Sequence, residues 1–313
     1  MIEVVILVII IGLFIAISTK PDIIELNTYN PSNRRVVCSL TTRPVQPKYF
    51  DKVLDRLVEQ FDAVYLAIPK ISCRGVPYPT LSHPGVTIVS VEEDYGPITK
   101  FFGALNSNEP PDTLVVVVDD DIIYDPTLRD ICQENYKKYP RCVVSGAVIV
   151  YKYSSIELPW FMCITGRREQ YCELFPSFLG NIATTTVCGY ASISFRRSLI
   201  QREKLLSFIG FHNKDKECFF NDDIVISAFL SEQGVSRICK KIPLCAHNTD
   251  KTTESLSARI ENKGIQERQY KVFQKLRDYF RNDPPRFDCI CLFDVVLVTI
   301  LVITLKFLKI STI

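Results

Sequence analysis

Asp119, Asp120 and Asp121 stand together in the run LVVVVDDDIIY, Leu114 to Tyr124, with apolar residues on either side. Adjacent carboxylates repel one another and stay ionised only beside a cation or hydrogen-bond donors. Hard oxygen ligands select Mg2+ or Mn2+, ions usually shared with substrate phosphates. Asp119 and Asp121 lie two apart, as in D-x-D, so on an extended segment both project to one side and can address one metal–diphosphate group. The plainer reading is a loop of solvated acids closing a strand. A second acidic pair, Asp222 and Asp223, opens the run NDDIVISAFLSEQG, where Asn221 reads as a helix N-cap and Gly234 as its stop. Favourable pairing with the helix dipole explains such a pair without catalysis. Cys239, Cys245 and His247 lack the paired spacing and fourth ligand of a zinc site. The chain shows no Ser-His-Asp order, P-loop or G-x-G-x-x-G.

The elements that must position these acids read as a strand–helix alternation. Arg34–Thr42 is a buried strand ending in hydroxyls. Phe50, Val53, Leu54, Leu57, Val58 and Phe61 form the apolar stripe of a helix over 48–61. AVYLAIP, GVTIVSV and TLVVVVD follow as strands, with a Gly- and Pro-rich loop over 70–85 and a helix after Gly96-Pro97. A helix through Leu128, Ile131, Cys132, Tyr136 and Tyr139 precedes a strand, RCVVSGAVIVY. Continuous apolar strands divided by amphipathic helices predict an α/β fold: a Rossmann-like, mostly parallel sheet with helices on both faces. Ligands of such sheets sit beyond the carboxyl ends of the strands, where the three aspartates stand. The second half is less regular: a long loop or lid around Trp160, a tight approach at Gly189, the helix after Asn221, an apolar strand and a histidine in RICKKIPLCAHNTD, and a charged helix over 258–280.

Of 313 residues 47% are apolar, enough for a full core, and a net charge of +2 with no basic run excludes nucleic acid as the expected partner. Hydrophobic segments occupy both termini. Residues 1–18 read as a membrane anchor or a signal peptide and 289–310 as a possible second span, with 19–33 as a linker. The body, 34–280, divides into a nucleotide-binding half, 34–125, and an acceptor half, 126–280. Membrane association is therefore expected, through one span or two, and twelve cysteines tilt the location towards an endomembrane lumen over the cytoplasmic face.

From Arg34 to His247 the ordered motifs resemble those of GT-A fold glycosyltransferases, the broad family-2-like group. DDD resembles the metal-binding D-x-D, CGYASISFRR the glycine loop, NDDIVIS the motif with Asp222 in the place of the usual Glu, and CAH the terminal metal-binding histidine. DYGPITKFFGAL is similar to the segment between the donor strand and D-x-D. The resemblance implies a GT-A type sheet and a metal-dependent transfer of sugar from a nucleoside-diphosphate sugar, UDP- or GDP-linked, to a hydroxyl of a glycan, lipid or protein, with inversion. It implies Asp119, Asp121 and His247 on Mn2+ or Mg2+, with Thr41, Asp94, Lys100, Asp119, Asp120 and Gly189 at the donor. Asp223 is the implied base beside Asp222, and Trp160 and Tyr190 are the aromatic candidates for the acceptor. The lid around Trp160 matches no specificity signature. Two other readings stay open: a nucleotidyl- or phosphotransferase using the aspartates for metal, and a non-catalytic, membrane-tethered binding protein on a degenerate transferase body.

Overall fold

The structure is a computed structural model that describes residues 35–73, 75–152, 183–240, 242, 244–247 and 262–280. In chain order the strands are β1 (Val36–Thr41), β2 (Ala63–Pro69), β3 (Val86–Val91), β4 (Leu114–Val117), β5 (Ile122–Tyr124), β6 (Val143–Ser145), β7 (Val148–Lys152), β8 (Ala183–Val187), β9 (Ile193–Arg196), β10 (Arg237–Cys239) and β11 (Leu244–His247). The helices are α1 (Phe50–Val58), α2 (Phe102–Leu105), α3 (Leu128–Lys138), α4 (Arg202–His212), α5 (Lys216–Phe219), α6 (Asp222–Glu232) and α7 (Asn262–Phe280).

Seven strands form the main sheet in the order β10-β6-β9-β4-β1-β2-β3. Every pairing is parallel except those of β9, which runs antiparallel to both β4 and β6. The predicted Rossmann-like sheet is therefore present. Side chains alternate across it, as the pleat requires. Val36, Cys38, Leu40, Leu114, Val116 and Val118 face a core built with α1 and α3. Val37, Val115, Val117, Ile193 and Phe195 face the opposite core, built with α4, α6 and α7. Helices thus cover both faces. In α6, Ile224 to Ser231 are buried without a break, because the helix lies between the sheet and α7. Such a helix needs no polar stripe.

Two expectations change. RCVVSGAVIVY is not one strand: it breaks at Gly146 into β6, in the main sheet, and β7, which pairs with β8. A Cβ on Gly146 would meet Ala191 O at 2.3 Å, so the chain turns there against the loop before β9. Likewise RICKKIPLCAH splits into β10, on the sheet edge, and β11, antiparallel to β5.

The membrane location is corrected. Among the described residues no helix is long and apolar enough to cross a membrane. The longest, α7, carries charge along its length and packs on α6. Segments 1–18 and 289–310 and the lid around Trp160 lie outside the described residues. Cys38, Cys132 and Cys218 are buried free thiols that pack as small hydrophobes. Burial pushes the Cys132 thiol up to about 12.

Candidate active site

The site forms where β4 ends. Val118 is still buried, and Asp119, Asp120 and Asp121 make the turn into β5. Opposite stands the N-terminus of α6, with Asp222 and Asp223 in its first turn. Between them lies the short 3-10 turn Gly189–Ala191. Sequence positions spread over a hundred residues meet in one pocket.

Lys100 holds the two acidic groups together. Its ammonium lies 2.7 Å from Asp119 Oδ1 and 2.8 Å from Asp222 Oδ2. Only the first contact is a hydrogen bond; the second is an ion pair without hydrogen-bond geometry. The side chain is 4% exposed. Burial alone would lower its pKa, yet Asp119, Asp222 and Asp223 keep it well above the ordinary lysine value, so it stays charged. The turn carrying it, Gly96–Phe101, is fastened to β1 by Ser39, whose hydroxyl donates to Lys100 O (2.6 Å) and accepts from Ala104 N (3.0 Å). Gly103 lets this turn approach: a Cβ there would stand 2.5 Å from Ser39 Oγ and 2.9 Å from Tyr65 O.

Gly189 donates its backbone N–H to Asp223 Oδ1 at 2.8 Å. Its neighbourhood is tied to α6 by Ser227, whose hydroxyl donates to Asp223 O (2.6 Å) and accepts from Val187 N (3.0 Å). Burial, then repulsion from Asp222, raises the Asp223 carboxyl to about 8, against the pull of Lys100. Asp120 is raised to about 7, by burial first, although Thr42 donates its hydroxyl to Asp120 Oδ2 at 2.5 Å. Asp121 is raised as well, by burial and then by Asp119. Among the described residues the site therefore holds more carboxylate than Lys100, with Arg43 near Asp120 and Asp121, neutralises.

Asp119, Asp120, Asp121, Lys100, Gly189, Asp222 and Asp223 are thus brought together. Of the other predicted residues, Asp94, Thr41 and Tyr190 have partners of their own. Asp94 accepts from Cys73 N (2.6 Å) and Gly96 N (2.8 Å), which pins the loop after β2 to the Lys100 turn. The Thr41 hydroxyl donates to Ala67 O on β2. The Tyr190 ring packs, half-buried, beside Cys188 and Ala191. His247 pairs through its backbone with Ile122, the residue after Asp121. Trp160 lies outside the described residues. Tyr124, which the sequence reading passed over, is fully buried and bonded to both Asp119 and Tyr190. Its signal was present: a tyrosine in an otherwise aliphatic strand needs a partner for its hydroxyl.

Among the described residues no three His, Cys, Asp or Glu side chains form a group that could hold a metal ion unaided. The donor set still fits a shared cation. Asp121 and Asp119 are hard oxygen ligands; burial and the neighbouring Asp119 disfavour the charged form of Asp121, and a divalent ion relieves both.

No family model matches the chain, and no curated protein does. Solved structures of similar fold exist. One is the 2-C-methyl-D-erythritol 4-phosphate cytidylyltransferase of Francisella tularensis, 14% identical, with 78% of this chain and 100% of that chain covered at a TM-score of 0.37. Another is a 4-diphosphocytidyl-2C-methyl-D-erythritol synthase, 10% identical, with 77% and 100% covered at a TM-score of 0.40. The 4-diphosphocytidyl-2C-methyl-D-erythritolsynthase of Anaerococcus prevotii DSM 20548 is 12% identical, with 70% and 92% covered at 0.38. Scores of this size add nothing to what the strand order shows.

Proposed function

We propose that the chain is a cation-assisted transferase for a nucleotide-linked donor, and that it moves a sugar from a nucleoside diphosphate to an acceptor hydroxyl. One observation carries this reading: Lys100 ties Asp119 to Asp222, so the acidic turn after β4 and the carboxylates of α6 face one pocket. Asp121 and Asp119 would hold Mn2+ or Mg2+ together with donor phosphate oxygens, and the ion would supply positive charge to the departing diphosphate. Lys100 adds a fixed charge beside it. The acceptor oxygen bonds to the anomeric carbon as that carbon's bond to the diphosphate oxygen breaks. The bonding pair leaves with the diphosphate, and the hydroxyl proton passes to Asp223 in its ionised form, so transfer is expected to quicken as pH rises towards 8. A single displacement of this kind inverts the carbon.

Nucleotidyl transfer is the second reading, and the buried ammonium of Lys100 favours it by suiting the larger charge of a triphosphate. It leaves Asp223 without work, because a phosphate acceptor arrives already ionised and needs no base. The test is product analysis. The full chain is incubated with nucleoside-diphosphate sugars, and separately with nucleoside triphosphates and sugar phosphates, each with Mn2+. Release of nucleoside diphosphate that Asp223→Asn abolishes supports sugar transfer; release of pyrophosphate replaces it with the second reading. Turnover undiminished by Asp223→Asn refutes the base assignment.

A further inference from the structure

We infer that Tyr124 is a positioning residue for this site, a single hydroxyl that sets the acidic turn against the glycine turn. The inference rests on the proposed function for its catalytic meaning, and on geometry alone for the linkage.

The Tyr124 oxygen accepts the backbone N–H of Asp119 at 3.0 Å and donates its own proton to Tyr190 O at 3.1 Å. The two bonds use different capacities of one hydroxyl, its lone pair and its proton, so both are made at once. The ring is wholly buried in the core shared with α1 and α3, and cannot swing away. The residues it joins are the ones the chemistry needs. Asp119 is one of the two acids that Lys100 contacts, and Tyr190 follows Gly189, whose N–H meets Asp223. Tyr124 therefore fixes the separation between the cation side of the pocket and its base side without touching a substrate. Lys100 spans the same gap through side-chain charge, which a bound cation can disturb; the phenol spans it through backbone, which a cation leaves alone.

Tyr124→Phe keeps the ring and deletes only the clamp. The control is Tyr65→Phe, which deletes a hydroxyl bonded to Glu109 in the segment that leads into the start of β4, at the end of that strand away from the acids. Two readouts are taken on the full chain: hydrogen exchange of peptides covering 117–124 and 187–192, and calorimetric binding of UDP and GDP with Mn2+. In the wild type the Asp119 amide is protected, a result that needs no variant; an amide that exchanges as an open loop does overturns the linkage. In Tyr124→Phe exchange rises tenfold or more in both peptides, and nucleotide affinity falls tenfold or more, while Tyr65→Phe leaves both as in the wild type. Faster exchange at Asp119 alone, or a binding loss no larger than that of Tyr65→Phe, refutes the positioning role. If the wild type binds neither nucleotide, the proposed function fails, and the exchange data still decide the clamp.

Discussion

The ammonium of Lys100 lies 2.2 Å from the point where a Cβ on Gly189 would stand, and Asp119 Oδ1 lies 3.3 Å from it. Gly189 is glycine for reasons of space: its φ is not in the left-handed region. Gly189→Ala must push the tip of Lys100 off its carboxylates. A lysine tip is flexible, so the fold survives, with a stability loss of about 1–3 kcal/mol from overpacking. The ion pairs do not survive. Transfer activity should fall at least tenfold while circular dichroism is unchanged; full activity in the alanine variant would show that the Lys100 bridge is dispensable.

Lys100→Met tests the charge rather than the space. Removing one partner of a buried charge cluster typically costs about 3–5 kcal/mol. Lys100 lowers the pKa of Asp121 and Asp223, so its loss lets both rise further. Protonation then relieves the repulsion in acid. The stability deficit of Lys100→Met, measured by urea unfolding, should be large at pH 8 and smaller at pH 5. A deficit independent of pH would assign the loss to packing.

How much of this was legible beforehand follows from what each residue answers to. The strands were readable because Val36 to Leu40 and Leu114 to Val118 are buried on both faces and leave runs that are apolar but for Ser39. The acids were readable because three adjacent charges directly after such a run stand at the edge of the sheet where ligands bind. The break at Gly146 was not: its cause is the carbonyl of Ala191, a neighbour only in space. Asp94 has a second occupation that was hidden for a related reason: both its oxygens accept backbone N–H groups, from Cys73 and Gly96, which local sequence does not announce. Lys100 was read as a phosphate contact, and nothing local to it announces Asp222, which comes from the other half of the chain.

Asp223 makes a signed prediction about pH. Its folded carboxyl sits at about 8 against an ordinary value of 3.8. The folded chain therefore holds a proton that the unfolded chain has lost between those limits, and stability falls as pH rises through the window. The contribution is at most about 1.4 kcal/mol per pH unit. In chelator, unfolding free energies at pH 5, 6, 7 and 8 should decline faster for the wild type than for Asp223→Asn. Parallel profiles would mean that Asp223 is ionised throughout.

Mn2+ should act on the same balance from the other side. A divalent ion competes with protons for Asp121, whose pKa burial and Asp119 raise, so its stabilising effect grows with pH. At a hundred times its dissociation constant a ligand of the folded state adds about 2.7 kcal/mol. Thermal unfolding with and without Mn2+ should show a larger rise in Tm at pH 8 than at pH 5, lost in Asp121→Asn. An unchanged Tm at both pH values would remove the cation from the mechanism.

Ser192 closes the Gly189 turn in a conformation that suits only glycine, φ 64° and ψ 151°. Strain of this kind costs about 1–3 kcal/mol, and the surrounding bonds must sustain it. Two do so visibly: Ser192 N donates to Gly189 O at 2.9 Å, and Gly146 N donates to Ser192 O at 3.3 Å. Ser192→Gly relieves the strain but adds backbone freedom to the unfolded chain, worth about 0.5–1 kcal/mol. The net expectation is a gain of about 1 kcal/mol in urea unfolding. Ser192→Ala keeps the Cβ, and with it the strain, so it should gain nothing. Equal gains in both variants would trace the effect to the buried hydroxyl instead of the backbone.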